Sequence, residues 1–340
     1  MKENLNDMDI LSAFGLTDSQ TALLFSLQKV CALTDANSTK TDTQEVRKIE
    51  WIEKWSSILS TTHDNEWLIM PSELVRSFKE ELSTSKTKTW FHLIILEAVT
   101  FRPYFVLSEN NDENKQYKGL RYKNQVAFLE DFIIQVGYGK PEMARNYSNM
   151  YDKAIEKATG KAQKIAMNTM FVALAGALVA ATAGIATKPI AIALVGAKVT
   201  TGLSGAALLN ACLAFLGGGA LATGGAGMLG GTMVIIGGGA LLGVTTGGAL
   251  IAGKEAFFTN NPIAALTFAA KLNVVLREII LNEQKDTKLA QAVLHSFKDS
   301  IVQLNAQLTE LRLENEKSKE RIKNMEKSIS YLERIYMSMD

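Results

Sequence analysis

Cysteine, proline and histidine are all scarce in this chain: 340 residues include two cysteines, five prolines and three histidines. Two cysteines cannot build a multi-bridge disulfide framework. Cys31 falls in a predicted soluble helix and Cys212 in an apolar stretch, so a reducing cytosol is the expected compartment for the soluble parts. His63, His92 and His295 lie far apart, with no cysteine or carboxylate at ligand spacing. They read as ordinary surface or packed residues, and no metal centre is expected. No Ser/His/Asp or Cys/His arrangement points to nucleophilic catalysis. The chain is therefore read as a non-enzyme that needs no cofactor. The opening residues MKENLNDMDILSAF carry three acids and no apolar run, so a secretory signal is not expected and synthesis is assigned to the cytoplasm.

Charge is missing from one place in particular. Residues 165–253 contain only two charged side chains, Lys188 and Lys198, and the 55 residues from Val199 to Gly253 contain none. The same block holds 20 of the chain's 25 glycines. A bilayer-spanning helix needs about 20 apolar residues, and this block has room for several. Three segments are expected. The first is 165–187, closed by Lys188-Pro189, because proline ends a helix and a mid-bilayer lysine costs about 2.5–3.5 kcal/mol. The second is 190–216, with Lys198 close enough to an end to snorkel. The third is 228–253. All three are rich in Ala, Gly and Thr, long enough to span and only marginally hydrophobic.

Glycine recurs in this block at helical spacing. Gly239, Gly243 and Gly247 form one row and Gly227 and Gly231 another. In lipid, helices associate by close packing, which small residues permit. Two nucleotide-binding patterns are present only in outline. Gly225 to Gly230 fits GxGxxG without a preceding strand or a following acid. Gly248 to Lys254 begins a phosphate loop, but Glu255 stands where a magnesium-holding Ser or Thr belongs.

The flanks differ sharply from the block. Residues 1–164 carry 21 Lys/Arg against 23 Asp/Glu, and residues 254–340 carry 13 against 12. Near-neutral flanks exclude a nucleic-acid-binding surface. From Leu294 a seven-residue pattern persists to Met339. Its a and d positions are Leu294, Phe297, Ile301, Leu304, Leu308, Leu311, Asn315, Ser318, Ile322, Met325, Ile329, Leu332, Tyr336 and Met339. Such a run predicts a coiled coil, with Asn315 setting register and Arg312, Glu326 and Glu333 among the flanking charges. Pairing between chains is favoured over pairing with another helix of the same chain.

The N-terminal part is predicted to be helical. Thr17-Asp18-Ser19-Gln20 has capping-box spacing. A second helix is placed from near Thr43 through Trp51 and Trp55, a third after Pro71, and a fourth over 88–101, stopped by Pro103. Two more cover 122–137 and 141–164. Trp51 and Trp55, four residues apart, are read as core packing. Residues 24–55 and 91–137 share a plan of apolar helix, long polar loop and amphipathic helix. The first copy, with Asp35 at the start of the loop and Glu45 in the next helix, resembles the tellurite-resistance TerB-like helical domains; Ala36 stands where that family has glycine. The resemblance would imply an acidic metal site. On the residues themselves, Asp35, Asp42 and Glu45 read as solvated loop and first-turn acids.

The expected architecture is all-α: a helical regulatory or sensor domain over 1–160, a Gly/Ala-rich membrane-insertion region over 161–256, and a helix with an oligomerising coiled coil over 257–340. In composition the block resembles the hydrophobic hairpins of colicin-type and cytolysin A-type helical pore formers and of apolipoprotein L-like proteins. That resemblance implies a membrane-permeabilising effector, a toxin or an abortive-infection (antiviral) defence protein. Its expected partners are membrane lipid, further copies of itself and a protein activator or inhibitor, and its expected place of action is the inner, cytoplasmic membrane. A constitutive membrane-anchored scaffold, recruiting partners through its flanks, is the alternative reading.

Overall fold

The computed structural model describes residues 16–61, 68–104, 116–123, 125–160, 262–313 and 319–339. Among these residues the protein is entirely helical, with no strand. They belong to two compact units: residues 16–149, and residues 150–160 together with 262–339.

In the N-terminal unit, α1 (Asp18–Asn37) opens with the capping box read from the sequence. Gln20 N–H donates to Thr17 Oγ1 at 3.3 Å, and Thr17 N–H donates to Gln20 Oε1 at 3.1 Å. Two otherwise orphaned helix-start donors are thereby satisfied. The same Gln20 side chain donates to Glu81 Oε1 at 2.8 Å, tying the start of α1 to the last turn of α3 (Leu74–Thr84). Four residues turn the chain from α1 into α2 (Asp42–Thr61). The long polar loop expected in the first repeat copy is thus a tight connection between packed helices.

α4 (Thr89–Thr100) is mostly apolar all round, and every residue from Trp90 to Thr100 is buried, His92 and Glu97 included. A helix without a polar face must sit in the interior, and here α1 and α5 (Val126–Val136) pack against it. Phe101 caps it two residues before Pro103, where the ring stops the helix as expected. Gly137, at φ +77°, ends α5 in the left-handed conformation that a C-terminal cap requires. α6 (Met143–Thr159) follows, and the boundary between the two units falls inside it.

In the C-terminal unit, Pro262 opens α7 (Pro262–Val274), a position where its missing N–H costs nothing. α7 runs directly into a π-helical segment, Val275–Gln284, which closes on Lys285 at φ +56°. α8 (Thr287–Leu313) and α9 (Lys319–Tyr336) complete the unit. α9 packs against both α7 and α8. Phe297 of α8 sits where the three helices meet, its ring centroid 6.2 Å from Phe268 of α7 and 5.9 Å from Tyr336 of α9.

The heptad run therefore folds back on itself. Arg312 Nη2 lies 2.7 Å from Glu326 Oε1, and Asn305 Nδ2 donates to Glu333 Oε1 at 3.3 Å. Both pairs close around the same midpoint near residue 319, the signature of an antiparallel hairpin. Phe297, Ile301, Leu304, Leu308, Met325, Ile329 and Leu332 are buried; Leu294, Leu311 and Ile322 are half-buried. The a/d stripe is buried as the pattern demands, and one chain supplies both sides of the seam between its halves. Asn315 and Ser318 lie outside the described residues.

Candidate functional site

Two constellations stand out among the described residues: a buried ionic centre in the N-terminal unit, and the helix ends on either side of residues 161–261.

The first is built on Asp35, which lies in the last turn of α1 and is fully buried. Its Oδ2 accepts from Lys48 Nζ of α2 at 2.6 Å and from the Tyr104 hydroxyl at 2.6 Å. Its Oδ1 accepts from the Lys123 backbone N–H at 2.9 Å. Lys48 is itself buried, donates to Thr39 Oγ1 at 2.9 Å, and stands 5.2 Å from the centroid of the Tyr104 ring. The reading of Asp35 as a solvated loop acid is corrected: it belongs to a helix and is sealed from water. The groups that cover it, Tyr104 and Lys123, come from 69 and 88 residues away, beyond any local pattern. Asp42 and Glu45 lie in the first turn of α2, as read, with Asp42 exposed and Glu45 half-buried.

An aromatic wall supports this centre. Trp51 and Trp55 stack at 5.5 Å and are fully buried, in keeping with the packing role read from their spacing. Trp51 meets Tyr104 edge-on at 5.5 Å. Burial, followed by the hydrogen bond to Asp35 and that residue's charge, drives the Tyr104 hydroxyl far above its ordinary acidity range. Burial likewise pushes up the Cys31 thiol, one turn before Asp35. Arg47 donates to the carbonyls of Gln116 and Lys118, holding residues 116–118 onto α2. The carboxylate is saturated by donors and the ammonium is paired, so the centre acts as a structural pin. Among the described residues no group of His, Cys, Asp or Glu is placed to hold a metal ion. His92 is buried, its Nδ1 2.8 Å from the Tyr147 hydroxyl, and His295 is exposed beside Asp299. His63 and Cys212 lie outside the described residues.

The second constellation begins at Gly160. At φ +81° its N–H donates to the Glu156 carbonyl at 2.7 Å and closes α6. Thr159 Oγ1 donates to the Ile155 carbonyl at 2.7 Å. One more carbonyl of this last turn, that of Ala158, accepts from Arg334 Nη1 of α9 at 2.8 Å. A helix end leaves its final carbonyls without intrahelical partners and carries partial negative charge, so a guanidinium there satisfies both needs. On the far side of residues 161–261, α7 packs on α9, and its Leu266 and Ala269 are fully buried. Arg277, in the π-helical segment, donates to the Ser338 carbonyl at 2.6 Å just beyond α9. Neither arginine was singled out in the sequence. Arg334 occupies an outward heptad position, five after Ile329, where a charge reads as part of a solvated face.

The residues expected to insert and pack in a membrane, Gly227, Gly231, Gly239, Gly243, Gly247, Lys188, Pro189 and Lys198, lie outside the described residues. Among the described residues no helix is long and apolar enough to cross a membrane. No family model, curated protein or solved structure matches the chain.

Proposed function

We propose that this protein is a membrane-permeabilising effector, of the toxin or abortive-infection kind, in which residues 165–253 enter the cytoplasmic membrane as an oligomer. The observation that carries the reading is the run from Val199 to Gly253, 55 residues without a charge, rich in glycine and flanked by near-neutral helical regions. Its length suits several crossings, while its Ala, Gly and Thr content keeps insertion marginal, which fits conditional entry. The glycine rows at Gly239, Gly243 and Gly247 supply close-packing faces for assembly in lipid. With the heptad seam occupied by the chain's own hairpin, assembly falls to those rows. The N-terminal unit takes the regulatory role, answering to a protein activator or inhibitor.

Dye release from lipid vesicles tests the reading. Leu242→Lys places a charge within the charge-free run and costs about 2.5–3.5 kcal/mol at a mid-bilayer position. Release should fall by about two orders of magnitude, at about 1.4 kcal/mol per tenfold. A wild-type protein that never permeabilises vesicles, with Leu242→Lys indistinguishable from it, overturns the proposal. Stable membrane residence in healthy, unstressed cells would favour the anchored scaffold instead.

A further inference from the structure

We propose that the outer sides of α9 and of the last turns of α6 form one basic surface that seats the protein on anionic phospholipid headgroups. The choice of lipid rests on the function proposed above; the surface itself rests on described side chains. Lys323, Lys327 and Arg334 of α9 are exposed. At 3.6 residues per turn they project within about 40° of arc. Arg334 Nη1 donates to the Ala158 carbonyl at 2.8 Å, which brings the end of α6 alongside this row. There Lys157 directly precedes Ala158 and Lys153 stands one turn earlier, and both are exposed. Five cations are thus gathered on two adjoining segments of one compact unit.

The acids of the same segments are matched or turned inward. Glu326 is 2.7 Å from Arg312 and Glu333 accepts from Asn305, so both are committed to α8. Asp152 and Glu156 are half-buried. Among the described side chains, the exposed charge left over on this face is positive. Elsewhere in the unit the signs are mixed: exposed Lys288 lies two residues from exposed Asp286, and exposed Lys298 precedes exposed Asp299. Each lysine held near an anionic bilayer strengthens attachment by about fivefold, and several act together. Two features favour a bilayer as the partner. α6 ends at Gly160, and the apolar block begins five residues later in the sequence, so attachment here holds its start within reach of lipid. Tyr151 and Tyr331 of the same segments are buried, with Lys327 Nζ 5.8 Å from the Tyr331 centroid, so the face offers lysine tips and no ring for a nucleic-acid base to stack on.

The test uses the full chain with vesicles of phosphatidylcholine, with and without phosphatidylglycerol, and reads binding by co-flotation separately from dye leakage. Wild type should bind the phosphatidylglycerol vesicles better by about tenfold or more, and the preference should fade as salt rises. Lys153→Gln/Lys157→Gln and Lys323→Gln/Lys327→Gln should each weaken that binding by about tenfold to thirtyfold while helical content stays at the wild-type level. Lys288→Gln/Lys298→Gln removes as much charge from α8 and should bind as wild type does. Equal binding by every variant, or an equal loss in the α8 pair, overturns the surface. Binding to neither kind of vesicle also overturns it, in favour of an acidic protein as the partner of these cations. Phosphatidylglycerol binding that depends on both lysine pairs, with no leakage from wild type, supports the surface and overturns the permeabilising reading. Leakage that ignores phosphatidylglycerol and both lysine pairs overturns the surface and leaves the permeabilising reading standing.

Discussion

Lys48 Nζ and Asp35 Oδ2 meet at 2.6 Å with neither side chain reaching solvent. An ion pair of this kind repays its desolvation only while both partners and their hydrogen bonds are in place. It joins α1 to α2, and Tyr104, just after α4, and Lys123, just before α5, both donate to the same carboxylate.

Removing one partner should therefore be far worse than removing both. Lys48→Met leaves the Asp35 carboxylate buried without its cation and should destabilise the chain by about 3–5 kcal/mol. Asp35→Leu combined with Lys48→Met should recover a large part of that loss. Urea denaturation of Lys48→Met, Asp35→Leu and the double variant measures it; additive losses would show that the pair is not coupled.

Alkali should weaken the same region. Cys31, Tyr104 and Tyr122 are all pushed up, in each case chiefly by burial. The folded state keeps these protons when the unfolded chain has released them. Their stabilisation is thus complete below the ordinary values of 9.0 for the thiol and 10.0 for the phenols, and is lost as pH climbs from there towards the folded-state values. The decline has an upper limit of about 1.4 kcal/mol per pH unit for each group. Denaturation midpoints between about pH 8 and about pH 10.5 should fall steadily. In a Cys212→Ser chain, Cys31 should resist a thiol reagent until denaturant is added, and a flat pH profile with a fast-reacting thiol would contradict this account.

Phe297 is the keystone of the C-terminal unit, touching α7 and α9 from α8. Phe297→Ala should cost about 3–5 kcal/mol through lost burial and an unfilled cavity. Val302→Ala on the exposed side of the same helix should change stability by less than about 0.5 kcal/mol. Thermal melts followed by circular dichroism separate the two, and equal effects would remove the three-helix junction.

Gly243→Leu puts a branched side chain in the middle of the Gly239/Gly243/Gly247 row. If helices touch along that row in lipid, vesicle leakage should drop while the helical content of the purified chain is kept. Leakage at the wild-type level would leave the row without a role in assembly.

Several local features follow from neighbouring residues alone. The Thr17/Gln20 capping box, the stop of α4 before Pro103 and the packing of Trp51 with Trp55 depend on groups within four residues of one another, so spacing reports them directly. Helical class follows for the same reason, since capping signals and apolar periodicity repeat along both flanks. The charge-free block is likewise plain in the amino-acid order, because the absence of charge is a property of composition.

Tertiary structure decided which groups meet across long separations. An a/d stripe states that a seam will be buried and is silent on whether the partner is another chain or the next helix; the Arg312–Glu326 and Asn305–Glu333 pairs place it within the chain. Asp35 looks like a loop acid until Tyr104 and Lys123 arrive from far along the chain to cover it. Arg334 looks like one more solvated charge until it reaches the Ala158 carbonyl, 176 residues earlier. Sequence patterns encode which surfaces must leave water, because that depends on each residue's own polarity and spacing. The choice of partner is a global matter, settled only when all the buried surfaces and unpaired backbone groups compete for one another at once.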